Sequence, residues 1–548
     1  MKHCIRNPII HGFNPDPSIV RAGDDYYIAN STFEWFPGVP IHHSRDLVNW
    51  KLIGHALTRQ SQLDLRGIVD SAGVWAPSMS YADGQFWLIY TNLFNTGMGR
   101  PFKDIGIYLT TATDINGPWS EPVGLNAIGF DPSLFHDDDG RKWLANIEWD
   151  YRKGRHRFAG IVIQEYDPKQ RKLVGPMTKI LEKPNILCEG PNLYKHDGWY
   201  YLMMAEGGTG WTHSISMARS RNILGPYELD PQPVVLTARD DISLPLQKAG
   251  HGELVQTQSG EWYLAHLASR PLITGAGLNQ NSPDKSSIAA LHAGHRCMLG
   301  RETCLQKVEW RDGWLRLATG GTKPQTEVPA PADLPPHPWP ALPERDDFDA
   351  AKLEVNWSSL RVPVDESWLS LTARPGWLRL RGRESQHSLH NQSLVARRLQ
   401  HFSVTIETRL EFAPEHFTQS AGLICYYDTR THFYLRVSRH EVQGKILGIV
   451  LTDDGVYDEL MDSQVVINDW KQIYLRAQID REKLQFSASP DGRAWQAVGP
   501  VLDASKLSDD YGTGLHFTGA LVGLCCQDLK DHAVWGDFDY FEYRPRAA

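Results

Sequence analysis

The chain has 548 residues, 41% of them hydrophobic and 22% charged, with a net charge of -9. That length is too great for one ordinary core and implies two or three domains. The acidic balance argues against a nucleic-acid or anionic-membrane partner, and no apolar run approaches the ~20 residues that cross a bilayer.

The N-terminus, Met1 to Asn14, lacks the charged, apolar, small-residue order of a signal peptide. Seven cysteines are scattered without framework spacing. Together these features predict reduced thiols and a cytoplasmic protein. Cys297 and Cys304 are not expected to be half of a zinc site.

From the N-terminus onward the chain reads as short Val, Ile, Tyr, Trp and Phe runs broken by Gly, Asp and Asn turns. That is β structure, and no long stretch has a 3.6-residue period. A turn followed by an aromatic strand recurs as GDDYYIAN (23–30), DGQFWLIY (83–90), DGRKWLAN (139–146), DGWYYLMM (197–204) and SGEWYLAH (259–266). The aligned rings are Tyr27, Trp87, Trp143, Tyr201 and Tyr263, at intervals of 60, 56, 58 and 62 residues. Such a period holds one four-stranded blade, so five units predict a five-bladed β-propeller over residues 1–323.

Counting back 12 residues from each ring, or 11 in the first repeat, gives Asp16, Trp75, Asp131, Glu189 and His251. If the repeats are blades, these side chains converge on the central axis. Asp16 and Asp131 each precede a proline, and Trp75 and Glu189 stand two before one. A residue before proline is pushed toward extended backbone, which predicts stiff strands under these groups. Three carboxylates facing one pocket suit glycosidic cleavage, which needs an acid for the leaving oxygen and a base or nucleophile opposite it. A third carboxylate raises a neighbour's pKa and keeps the acid protonated; Asp131 is placed to do this for Glu189. Arg301, in LGRET, has the fork to bind sugar hydroxyls, and reads equally well from the residues alone as a surface arginine. His251 has three open readings: a substrate contact, a ligand for a Ca2+ ion in the channel, or a satisfied core residue. No cofactor is required by the chemistry.

Residues 324–343 hold eight prolines in twenty and form an extended connector. Residues 344–548 follow, with strands expected near both ends, RDDFD (345–349) and GDFDYFEYRP (536–545), that would pair in a jelly-roll β-sandwich.

The motifs GFNPDPS (12–18), STFEWFPGVPIHHSRDL (31–47), VWAP (74–77), GFDPSLFHD (129–137), EGP (189–191) and LGRET (299–303) together resemble glycoside hydrolase family 43, and more narrowly its β-xylosidases with a concanavalin A-like C-terminal sandwich. The resemblance implies an exo-acting, inverting enzyme that releases xylose from the non-reducing end of β-1,4-xylo-oligosaccharides. An α-L-arabinofuranosidase or dual-activity enzyme is the alternative, and a non-catalytic carbohydrate-binding protein is the rival from another class. By motif, Asp16 matches the general base, Glu189 the general acid, and Asp131 the carboxylate that tunes and orients the acid. Phe33 and Trp75 match the aromatic wall, and Arg301 and His251 sugar-pocket residues. The sandwich is expected to close the pocket with Phe517, in GLHFTG (514–519), although this chain has Leu-His where relatives often have Gly-Phe. Asp131 is followed by proline where relatives carry a small residue. The resemblance also implies a homo-oligomer, a tetramer or dimer.

Overall fold

The computed structural model describes residues 4–95, 101–274, 287–514 and 516–546. Five antiparallel sheets follow one another along the first part of the chain. Their first strands are Ser18–Ala22, Gly73–Ala82, Ser133–His136, Cys188–His196 and Gln247–Gln256. Each sheet is built from strands taken in sequence order, so each is one blade of a five-bladed propeller.

The blades start with tight hairpins where the sequence supplies the right turn residues. Asp83-Gly84 and Asp197-Gly198 connect the first two strands of blades 2 and 4, with φ of 55° and 72°, and 47° and 71°. Two consecutive positive φ values are what a two-residue type I′ turn requires. The aligned rings all fall on second strands. They form part of the inter-blade packing, where Trp87 meets Tyr166 at 6.4 Å and Tyr27 meets Phe86 at 5.5 Å.

Register separates the blades more finely than the repeat count. Tyr27 pairs with Val20, Trp143 with Phe135 and Tyr263 with Val255, each partner four residues beyond the predicted axial residue. In blades 2 and 4 the partners are Ser80 and Tyr194, five residues beyond it. Irregularities between Trp75 and Ser78 and between Glu189 and Asn192 absorb the extra residue. A bulge kinks its strand and re-aims side chains, so it can turn Trp75 and Glu189 toward the pocket.

The Pro-rich connector is extended but not free. Glu327–Pro329 pairs antiparallel with Cys4–Arg6, and the His337 amide donates to Asp46 Oδ2 at 2.7 Å. The segment therefore straps the outside of blade 1.

The C-terminal part is a sandwich of an eight-stranded and a nine-stranded sheet among the described residues. Its first strand, Arg345–Asp346, pairs with its last, Trp535–Pro545. One strand of the larger sheet comes from the propeller: Trp35–Phe36 pairs with Ser358–Leu360. Trp35 is fully buried, with its ring 5.8 Å edge-on from Tyr426, and one hydrophobic cluster runs from blade residues into Leu360, Leu394 and Tyr426. Polar contacts reinforce the seam. Arg361, 1% exposed, donates to Ile68 O and Asp70 Oδ1, both at 2.7 Å, and Asp70 also accepts from the Thr429 hydroxyl. No helix of the described residues is long and apolar enough to cross a membrane.

Removing a buried tryptophan leaves a cavity worth ~3–5 kcal/mol. Trp35→Ala is therefore expected to lower the denaturant midpoint of the whole chain. A loss below ~1 kcal/mol would show that the inserted strand does not carry the joint core.

Candidate active site

Asp16, Asp131, Glu189 and His251 come together at one end of the propeller axis, all less than a tenth exposed. Their electrostatic coupling follows from that convergence: Asp16 acts on Asp131, Glu189 and His251. Their backbone corrects one expectation. Asp16 and Asp131 stand just before their strands, with φ of 49° and 51°, and His251 has φ of 45°. These are left-handed rather than extended, even where proline follows. Such backbone costs about 1–3 kcal/mol per residue and is held only where surrounding structure over-determines it. At Asp16 the surroundings are one guanidinium nitrogen of Arg301 and the Ser31 hydroxyl, which hold Oδ1 and Oδ2 at 2.8 and 2.6 Å.

Gly190 follows Glu189 with φ of 57°. A Cβ there would lie 3.0 Å from the His251 ring, so glycine lets the blade 4 backbone approach that imidazole.

Burial pushes the carboxylates apart in protonation. It would raise Asp16, but Arg301, His251 and Ser31 outweigh it and hold this carboxyl below its ordinary value. Burial raises Glu189 to about 7, helped by the Asp16 charge and opposed by Arg301 and Lys103. Burial also lifts Asp131 well above the usual range, with Glu189 and Asp16 adding to it. His251 is lowered by burial, partly offset by Asp16.

An aromatic box stands over these groups. Phe33 and Trp75 meet with ring centroids 6.5 Å apart, and Phe517 reaches both, at 5.9 and 5.5 Å. Phe517 arrives from the sandwich on a loop pinned at several points. Its amide donates to Ser71 Oγ at 3.0 Å, and its carbonyl accepts from Arg301 at 3.0 Å. Further back, Asp510 takes Lys248 Nζ at 2.6 Å and the Cys297 amide at 2.9 Å, with Lys248 and Cys297 buried between the two domains.

Phe130, Lys103 and Trp149 extend the box and stand outside both the axial series and the residues that the resemblance names. Phe130 packs edge-on against Trp75 at 5.4 Å. Lys103 places Nζ 4.7 Å from the Trp75 centroid and 4.8 Å from that of Trp149. Burial lowers its ammonium to about 8, while Glu189 and Asp131 pull it back up. Phe130 lies inside the GFDPS motif and was open to notice. Lys103 lies on an irregular loop with nothing to distinguish it.

Behind His251 the channel narrows to a cavity of about 10 Å³, lined by Ser18, Ser78, Asn192, Asp131 and Glu253 among others. That is room for about one water. Glu253 already accepts the Ile19 amide at 2.7 Å, and burial raises its carboxyl to about 8. Among the described residues no group of three or more His, Cys, Asp or Glu side chains is arranged to hold a metal.

Comparison with known proteins agrees with this geometry. Residues 5–315 match the model of glycosyl hydrolases family 43, and residues 345–544 match the β-xylosidase C-terminal concanavalin A-like domain. The chain belongs to glycoside hydrolase family 43. It is 46% identical over 545 residues to a xylan 1,3-β-xylosidase of a Vibrio species, covering 99% of each chain. It is 45% identical to xylosidase/arabinosidase 43B of Humicola insolens, over 99% of this chain and 98% of that one. The crystal structure of a xylan β-1,4-xylosidase from Bacillus halodurans superposes with a TM-score of 0.93 at 54% identity, covering 98% of this chain and all of that one.

If Phe517 forms a pocket wall, Phe517→Ala should lower kcat/KM on a family substrate at least tenfold, about 1.4 kcal/mol of lost contact. Unchanged kcat/KM in the folded variant would remove the sandwich from the pocket.

Proposed function

We propose that this family 43 hydrolase is an exo-acting, inverting β-xylosidase that releases xylose from the non-reducing end of β-1,4-xylo-oligosaccharides. The observation that carries the reading is the split among three converging carboxylates, with Asp16 held ionised while Glu189 is raised to about 7. Pairs whose environments push their pKa values apart mark acid and base.

In this reading Asp16 is the general base. Its ionised carboxylate, oriented by Arg301 and Ser31, takes a proton from the water that attacks the anomeric carbon. Glu189 is the general acid and gives its proton to the departing glycosidic oxygen. Asp131 stands beside Glu189 and steers the acid without touching the bond that breaks; the charge that raises Glu189 is that of Asp16. Phe33, Trp75 and Phe517 hold the faces of the terminal sugar, Arg301 and His251 its hydroxyls. Inversion leaves α-xylose and forms no covalent intermediate. No cofactor takes part, and a Ca2+ ion in the channel would be structural.

The box closes over the axis with a ring from the second domain, which favours a chain end over a mid-chain segment. The names of the relatives favour a xyloside, with both 1,3 and 1,4 linkages represented. The second reading is dual activity on α-L-arabinofuranosides, favoured by the xylosidase/arabinosidase relative. A non-catalytic sugar-binding role has less support, because binding alone uses neither a raised acid nor a lowered base. Seven free cysteines, six of them buried, favour a reducing cytoplasm, and a dimer or tetramer is the expected assembly.

Xylobiose and aryl β-xylosides, followed by NMR of the released anomer, test the assignment. Initial α-xylose is expected; initial β-xylose would exclude inversion, and cleavage of arabinosides alone would replace the substrate. Asp16→Asn should cut turnover at least 10³-fold with the fold intact, and near-normal turnover would displace Asp16 as base. Glu189 works protonated, so kcat/KM should fall as pH rises through about 7. In Glu189→Gln that limb should vanish, with greater loss on xylobiose than on activated aryl xylosides. Equal losses on both would argue against the acid role.

A further inference from the structure

A second cavity, of about 420 Å³, opens between blade 1, the proline-rich strap and the sandwich, away from the propeller axis. Its volume lies in the ~300–1,000 Å³ range of small-molecule sites. Its walls include Trp50, Trp339, His42, His401, Arg397 and Arg398, and none of its lining residues is an aspartate or glutamate.

The two arginines set it apart from an ordinary crevice. Arg397 and Arg398 are 7% and 8% exposed. Two other buried arginines have carboxylate partners: Arg301 has Asp16 and Arg361 has Asp70. Arg398 has none among the described residues: its Nε donates to Phe13 O at 2.7 Å, and its guanidinium lies 5.5 Å from the Phe13 ring. Burial alone lowers it, to about 10, with no opposing charge to restore it. Its field in turn helps hold His42 and His55 neutral, both near 3, chiefly through burial. Arg397 lies 5.4 Å from the Tyr543 ring and feels Asp346 and Glu354 at longer range. A buried guanidinium is costly unless paired, and arginine does not relieve the cost by losing its proton.

The remaining walls suit a ring. Trp339 comes from the strap and packs at 5.1 Å against His43, with Lys51 Nζ 5.8 Å from its centroid. Trp50 stands on the same side, with its indole N–H already bonded to Leu47 O. Asn14 and Asn356 each hold a buried Oδ1 with no protein partner beside the cavity. Flat aromatic faces, amides and an uncompensated fork are the elements that bind a sugar carrying an acid group.

We propose that this cleft is a second saccharide site, selective for sugars bearing an anionic group, with Arg398 taking the anion and Trp50 and Trp339 the ring. It is separate from the catalytic pocket, although the two share a wall: Phe13 gives its carbonyl to Arg398 and its ring to Phe33, 5.8 Å away.

Glucuronate is the probe, followed by saturation-transfer NMR on the full-length protein with excess xylose filling the catalytic pocket. Saturable binding that excess xylose leaves in place is expected. Arg398→Met should weaken it at least tenfold. Because Arg398 also supports Phe13, Trp339→Ala on the surface strap is the second variant, expected to weaken glucuronate at least fivefold with an unchanged thermal midpoint. Absence of saturable binding would overturn the proposal, as would binding that survives both substitutions. Inorganic phosphate binding as tightly as glucuronate, and equally in Trp339→Ala, would reduce the cleft to a bare anion site and overturn its sugar selectivity. These outcomes are independent of xyloside hydrolysis, which reports on the propeller axis.

Discussion

One buried guanidinium ties the site together. Arg301 donates through one nitrogen to Asp16 on blade 1 and through another to the Phe517 carbonyl of the sandwich. It is 2% exposed, so both bonds act in a medium of low polarity and are correspondingly strong. Its charge keeps Asp16 ionised against burial, and the same fork sets where the pocket-closing ring stands. Loss of one partner from such an arrangement costs about 3–5 kcal/mol, because the other charge is left buried and alone. Electrostatics and pocket shape therefore cannot vary independently here.

The same burial acts on three carboxyls and gives opposite outcomes. Asp16 has a cation and a hydroxyl against it; Asp131 has two carboxyls near it; Glu189 lies between, with Lys103 and Arg301 partly relieving it. The difference is one of neighbours rather than of depth. It arises because blades 1, 3 and 4 bring their acids to one axis while Arg301 beside blade 5 and Lys103 of blade 2 supply the cations and the sandwich supplies the lid.

Much of this is legible in the amino-acid sequence. Five aromatic anchors at near-even spacing gave the blades, and the phase behind them gave the residues that meet at the axis. What the count missed was local. It treated blades as identical, whereas irregularities beside Trp75 and Glu189 shift the register by one residue. It read proline as a guide to extended backbone at Asp16 and Asp131, where hydrogen bonds and packing impose left-handed φ instead. Lys103 and Trp149 sit outside the axial phase, and their approach to Trp75 is purely tertiary. Phe517 was visible only through family resemblance, because no periodicity links residue 517 to a propeller 200 residues earlier.

The strand Trp35–Phe36 belongs to blade 1 by sequence and to the sandwich by hydrogen bonding. The two halves of the gene are therefore not interchangeable cassettes. A propeller produced alone would present an unpaired edge and a bare indole where the sandwich should be, together with a pocket open on one side. Recombination that imported a foreign sandwich would have to match the Arg361 seam, the Lys248–Asp510 contact and the Phe517 loop at once. Such a chain evolves as one unit, and synthesis must run to its last strand before the catalyst exists.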